Sequence, residues 1–177
     1  MNLEQTAVVV IDVQGKLATL MNNADHTVRK ITQLIQGANV LELPVLWLEQ
    51  YPKGLGPTVD TVAAEMIGTP IEKITFSAWR TDEFKKALIA SGKKQVLLCG
   101  IEAHICVFQT ARDLKNAGFI VEVLADATDS RTAIDYQIAL TRLQQEHILL
   151  TSVEMALFDL VEVASGEQFK KISKIVK

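Results

Sequence analysis

Three side chains in this sequence are of the types that activate sulfur for attack on a carbonyl: Cys106, Asp12 and Lys73. A thiol is nucleophilic as its thiolate, so it needs a group that takes its proton. A carboxylate such as Asp12 can accept that proton and return it to a leaving group. A lysine ammonium such as Lys73, set between the two, favours the ionised form of each. Each residue also has a plainer use. Buried free cysteines are common small core residues, an aspartate after a strand can cap a turn, and a lysine is ordinarily a surface charge. The chemistry requires the three to meet.

The stretch VLLCGIEAHICVFQ, residues 96–109, places the cysteine. Its apolar run over 96–99 predicts a strand buried on both faces of a parallel sheet, and Gly100 breaks that run. From Cys106 onward the apolar positions 106, 107, 110, 111 and 114 fall three or four apart, as on one face of a helix. Cys106 is thus expected in the first turn of a helix beyond the carboxyl end of a strand, where the helix terminus favours a thiolate. The turn after Gly100 could aim backbone N–H groups at one point and hold an oxyanion, or it could be an ordinary connection.

The elements that must position these residues alternate along the chain. Strands are expected over residues 7–11, 45–48, 71–76, 96–99, 120–124 and 147–150, the third being weak. Helices are expected over 24–38, 58–66, 82–90, 106–117, 133–145 and 154–163, with Gly92 and Gly118 as stop signals. The proline- and glycine-rich segment after Leu48, EQYPKGLGP, reads as an ordered excursion, and the lysine-bearing tail 169–177 as a solvated end. This alternation predicts a three-layer α/β/α sandwich, Rossmann-like, with a mostly parallel sheet. Asp12, Lys73, the segment 102–106 and Asp126 all fall at expected strand exits, which such a sheet gathers on one edge. There is no internal repeat or dividing linker, so residues 1–177 read as a single domain.

Composition narrows the function. At 177 residues and 49% apolar content, the chain can fill one core and bury about 70% of its extended surface. A net charge of −3 gives no reason to expect a nucleic-acid or anionic-membrane partner. The amino-terminal apolar run is too short for a membrane span and lacks a signal peptide's basic start. Cys99 and Cys106 have no disulfide-framework spacing and read as free thiols in a reducing, cytoplasmic setting. Neither nucleotide-binding glycine fingerprint is present, which disfavours a phosphate binder.

VVVIDVQG with Asp12, EKITFSAW with Lys73, LLCGIEAHICVFQTARDL with Cys106, VLADATDSR with Asp126 and the terminal TSVEMALFDLV together resemble the isochorismatase-like cysteine hydrolase superfamily, particularly its small isochorismatase-domain-containing proteins. These pieces span nearly the whole chain in order. The resemblance implies a six-stranded parallel sheet, an Asp12-Lys73-Cys106 triad and a cis peptide between Ile101 and Glu102. It also implies an oxyanion hole from the N–H groups of Glu102 and Cys106, and a homo-oligomer, for which the apolar carboxy-terminal helix offers one contact surface. Nicotinamidase-like relatives hold a metal with an Asp/His/His set. Here the histidines are His26, His104 and His147, and the segment after Leu48 has none, so no metal and no cofactor is expected. The cysteine directs the expectation toward hydrolysis of a small amide or related carbonyl compound through a thioester, the alternative being a noncatalytic interaction protein that kept the fold. Leu17, Tyr51, Phe76 and Trp79 follow the same exits as candidate pocket walls. His104 either points into the pocket or packs on the helix start.

Overall fold

A computed structural model describes residues 1–177. Its strands are β1 (Thr6–Ile11), β2 (Val45–Gln50), β3 (Ile71–Lys73), β4 (Gln95–Ile101), β5 (Ile120–Asp129) and β6 (Leu149–Thr151). They form one sheet in the order β3-β2-β1-β4-β5-β6, and every ladder is parallel. The helices are α1 (Gly15–Thr19), α2 (Ala24–Val40), α3 (Pro52–Leu55), α4 (Asp60–Ala63), α5 (Asp82–Ala90), α6 (Phe108–Asn116), α7 (Ala133–Gln145), α8 (Val153–Val161) and α9 (Gly166–Ile175).

Side-chain alternation along the two central strands makes the layers. Val8 and Val10 of β1 and Leu97, Cys99 and Ile101 of β4 face one core, closed by Ile31, Leu34 and Ile35 of α2, Leu157 and Leu160 of α8 and Ile172 of α9. Ala7, Val9 and Ile11, with Val96 and Leu98, face the other core, closed by Phe84 and Leu88 of α5, Ala111 and Leu114 of α6 and Leu143 of α7. Both faces are dry, so the central strands read as continuous apolar runs rather than alternating ones. Cys99 and Cys106 belong to opposite cores and both are free thiols.

From β1 the chain winds outward through β2 to β3, then returns to β4 beside β1 and winds the other way. That reversal puts the carboxyl ends of β1 and β4 at the switch point, the usual place for a site in such a sheet. The residues that follow these two strands are Asp12 and the segment leading to Cys106.

Several elements differ from their sequence expectation. The third strand stops at Lys73 instead of residue 76, because the Thr75 and Phe76 carbonyls accept from the Lys73 ammonium. The helix expected over 58–66 contracts to α4, and that over 154–163 becomes α8, with Ser152 accepting from the Met155 N–H as its cap. The sixth strand lies two residues later than expected at its start and ends at Thr151. Gly100 does not end the fourth strand, which continues through Ile101. The fifth strand runs through Asp129, with a register irregularity opposite Leu98 and Gly100. Asp126 is therefore inside the strand. Its Oδ1 accepts from the Val153 N–H at 2.9 Å and its Oδ2 lies 3.8 Å from Lys30 Nζ, which ties it to α8 and α2. The tail folds as α9 and its Ile172 is fully buried.

Candidate active site

Asp12 follows β1 in the left-handed region, at φ 51°, a conformation that aspartate tolerates better than most residues. This turn sends the chain out of the sheet while the carboxylate stays buried. Lys73 arrives from β3, two positions along the sheet, and passes beyond the end of β2. Its ammonium donates to Asp12 Oδ2 at 2.6 Å and Gln50 Oε1 at 2.7 Å, and lies 3.2 Å from each of the Thr75 and Phe76 carbonyl oxygens. Both members of the ion pair are shielded from water, with side-chain exposures of 0% and 1%. A pair so desolvated persists only because further acceptors complete the ammonium's shell.

Asp12 Oδ1 is buried and has no hydrogen-bond partner. The Cys106 thiol is close enough to interact with both Asp12 and Lys73. Burial pushes the Asp12 carboxyl up, against the opposing pull of Lys73. Burial, and then the Asp12 charge, push the Cys106 thiol up to about 12, again against Lys73. This overturns the expectation of a thiolate favoured by a helix terminus. Cys106 does not lie in the first turn of a regular α-helix but within a π-helical turn, Ala103–Val107, ahead of α6, and its sulfur sits in the apolar core beside a carboxylate. The resting thiol is therefore neutral and lies beside Asp12.

The turn that carries Cys106 is held by the end of β5. The Ile101–Glu102 peptide is cis, and the Glu102 N–H finds no acceptor within the chain. Thr128 Oγ1 donates to the Gly100 carbonyl at 2.6 Å, Ser130 Oγ is 2.8 Å from His104 Nδ1, and Arg131 Nε donates to Glu102 Oε2 at 2.8 Å. Three neighbouring residues thus grip the segment 100–104 from one side.

The residues proposed as pocket walls are dispersed. Tyr51 is half exposed and borders, with Lys73, Ile74 and Arg80, a cleft of about 420 Å³ on the β3 side. Phe76 is also half exposed and contributes its carbonyl to Lys73. Leu17 packs onto the α2-side core, across the sheet from the core containing Cys106. The Trp79 ring packs edge-on against Phe119 at 5.3 Å, with Lys85 over its face. His104 lies in a shallow depression with Phe108 and Arg142, anchored to Ser130. Sequence reasoning missed Gln14, Gln50, Thr128 and Ser130. Glu49-Gln50 directly after an apolar strand had the same signal as Asp12, and Gln14 sits two residues beyond it.

No three or more His, Cys, Asp or Glu side chains are grouped to hold a metal ion, and no helix is long and apolar enough to cross a membrane.

The isochorismatase domain family model matches residues 6–155. The chain belongs to the isochorismatase family. It is 37% identical over 172 residues to isochorismatase domain-containing protein 2 of Danio rerio, covering 97% of this chain and 86% of that one. It is likewise 37% identical over 175 residues to isochorismatase domain-containing protein 2A of Mus musculus, covering 98% and 84%. Among solved structures, MAR1 ribonuclease from Caenorhabditis elegans superposes with a TM-score of 0.93 at 34% identity, covering 99% of this chain and 91% of that one. The isochorismatase domain therefore contains the whole of the Asp12, Lys73 and Cys106 cluster.

Proposed function

We propose that this isochorismatase-family chain is a metal-independent cysteine hydrolase of small amides or related carbonyl compounds. The observation that carries the reading is the meeting of Asp12 and Lys73, from separate strands, at 2.6 Å beside the Cys106 thiol. In the first half-reaction Asp12 Oδ1 takes the thiol proton as Sγ bonds to the carbonyl carbon, and Lys73 keeps Asp12 oriented and its charge balanced. The N–H groups of Glu102 and Cys106 receive the developing oxygen charge. Collapse breaks the carbon–nitrogen bond, and the proton on Asp12 passes to the departing amine. In the second half-reaction Asp12 takes a proton from water, the hydroxide adds to the thioester, and the carboxylic acid leaves as Cys106 recovers its proton. The free thiols support a reducing, cytoplasmic place of work, and family membership supports a homo-oligomer.

The test is intact-mass trapping of an acyl adduct during a screen of metabolite amides and esters. An RNA substrate is included because the C. elegans relative is called a ribonuclease. A Cys106→Ala variant serves as control. The expected result is a mass increase on the wild-type chain, mapped to Cys106 and absent from the folded variant. Full turnover by C106A overturns the nucleophile. Turnover of RNA alone, without an adduct, replaces the amide reading. The competing noncatalytic reading draws on the deep burial and neutral state of the thiol, and predicts no turnover of any substrate.

A further inference from the structure

We propose that Gln14 is a positioning residue: by holding Gln50 it fixes the Lys73 ammonium against Asp12, and so sets the geometry in which Asp12 takes the Cys106 proton. The inference rests on the cysteine-hydrolase reading above and deepens it.

Its basis is a closed circuit of hydrogen bonds. The Gln14 N–H donates to the Asp12 carbonyl at 2.8 Å. Gln14 Oε1 accepts from the Gln50 N–H at 2.6 Å. Gln50 Oε1 accepts from Lys73 Nζ at 2.7 Å, and Lys73 Nζ donates to Asp12 Oδ2 at 2.6 Å, which returns to the start. The Gln14 side chain is fully buried, and its Nε2 donates to the Gly56 carbonyl at 2.7 Å and the Gln50 carbonyl at 3.2 Å. Its amide cannot turn over without setting donor against donor. Gln50 is oriented in the same way, because its Nε2 donates to the Ile74 carbonyl at 2.7 Å and leaves Oε1 toward Lys73.

Lysine needs such a device more than arginine does. Its ammonium is a point charge on a flexible four-carbon stem, and here it stands on the edge strand with β2 between it and Asp12. On its own strand's exit the Thr75 and Phe76 carbonyls attract it at 3.2 Å. The shorter bonds to Gln50 and Asp12 hold it beside the carboxylate. Gln14 makes no contact with the ammonium, yet it fixes the backbone from which the Gln50 amide projects. A residue that merely pinned the loop through Gly56 would need no such onward link to the charged pair.

Gln14→Met keeps length and volume and removes all three side-chain bonds. On an amide found in the screen, kcat at pH 7 is expected to fall at least tenfold while KM stays within twofold. The acid limb of the pH–rate profile should move to higher pH, because Asp12 loses the fixed counter-charge that holds its carboxyl down. Loss of a loop tie would lower thermal stability without moving that limb, so an unchanged acid limb in folded Q14M overturns the inference. If Q14M does not fold, Gln50→Met is read the same way, since it removes the acceptor at Lys73 and keeps the backbone bonds to Gln14. If the wild-type chain hydrolyses no amide, the hydrolase reading fails but the circuit is still testable. Carboxymethylation of Cys106 by iodoacetate at pH 9, read by peptide mass, should then be at least threefold slower in whichever variant folds, and equal rates overturn the inference.

Discussion

The Gly100 α-carbon lies against the backbone of Ile11 so closely that a Cβ built there would be 2.1 Å from the Ile11 carbonyl oxygen and 2.6 Å from its nitrogen. Gly100 also has φ +113°, which side-chain-bearing residues rarely adopt. Ile11 precedes Asp12, and Gly100 precedes the cis Ile101–Glu102 peptide. The contact therefore sets the distance between the strand that leads to Asp12 and the strand that leads to Cys106. Gly100→Ala should lower stability by at least about 3 kcal/mol, the sum of backbone strain and overlap, or prevent folding. Urea unfolding of the purified variant measures it. A midpoint within experimental error of the wild type would show that the two strands can part at no cost.

Removing the cation alone should harm the fold more than removing the pair. Lys73→Met leaves the Asp12 carboxylate buried without its 2.6 Å partner, a situation that costs about 3–5 kcal/mol when the charge persists. Protonation of Asp12 limits that cost. Burial already raises the folded-state carboxyl above its unfolded value, and loss of Lys73 raises it further. Stability from this group is present at pH values below the unfolded carboxyl range and is lost as pH rises through the folded value. K73M should thus grow relatively more stable toward acid pH, whereas Asp12→Asn/Lys73→Met should show a flatter pH dependence and a higher midpoint at pH 7. A K73M chain less stable in acid than at neutrality, relative to wild type, contradicts the buried-charge account.

Alkaline pH should weaken the fold through the thiols. A thiol in an unfolded chain titrates near 9, whereas burial and the Asp12 charge hold Cys106 up to about 12, and burial raises Cys99 as well. Between pH 9 and 12 the unfolded chain has lost protons that the folded chain retains. Stability is full below pH 9 and falls as pH rises, by at most about 1.4 kcal/mol per pH unit for each thiol. Cys106→Ser removes one of the two contributions. Its unfolding free energy should decline less steeply than that of the wild type from pH 9 to 10.5, and parallel slopes would dismiss Cys106 as a contributor.

What the sequence displayed depended on whether its signal was local. The helices over 82–90 and 133–145 coincide with α5 and α7, because apolar spacing and stop signals are written within one element. Asp12 and Cys106 were visible at strand exits for the same reason. The circuit through Gln14 was not, since residues 14 and 50 meet only after β2 pairs with β1. The polar stretch 125–129 looked like a loop, yet it lies in β5 because Asp126 accepts from the Val153 N–H, Thr128 donates to Gly100 and Asp129 accepts from the Asn23 N–H. No property of those five residues alone announces such partners.

The tail is the case where a local signal was present but masked. Lysines 170, 171, 174 and 177 give 169–177 the look of a solvated end, while Phe169, Ile172 and Ile175 repeat every three residues along one helical face. In the structure the Phe169 ring packs tilted against Phe158 at 6.0 Å, Ile172 enters the α2-side core with no exposure, and the Ile175 carbonyl accepts from Gln33 Nε2 at 2.6 Å. Ile172→Ala should accordingly cost about 2–5 kcal/mol, the range for truncating a buried isoleucine. Lys171→Ala on the exposed face of the same helix should leave the urea midpoint unchanged. Equal midpoints for the two variants would mean that α9 does not dock on α2 in solution. A loss confined to I172A would make the last turn of the chain part of the core that supports β1 and, through it, Asp12.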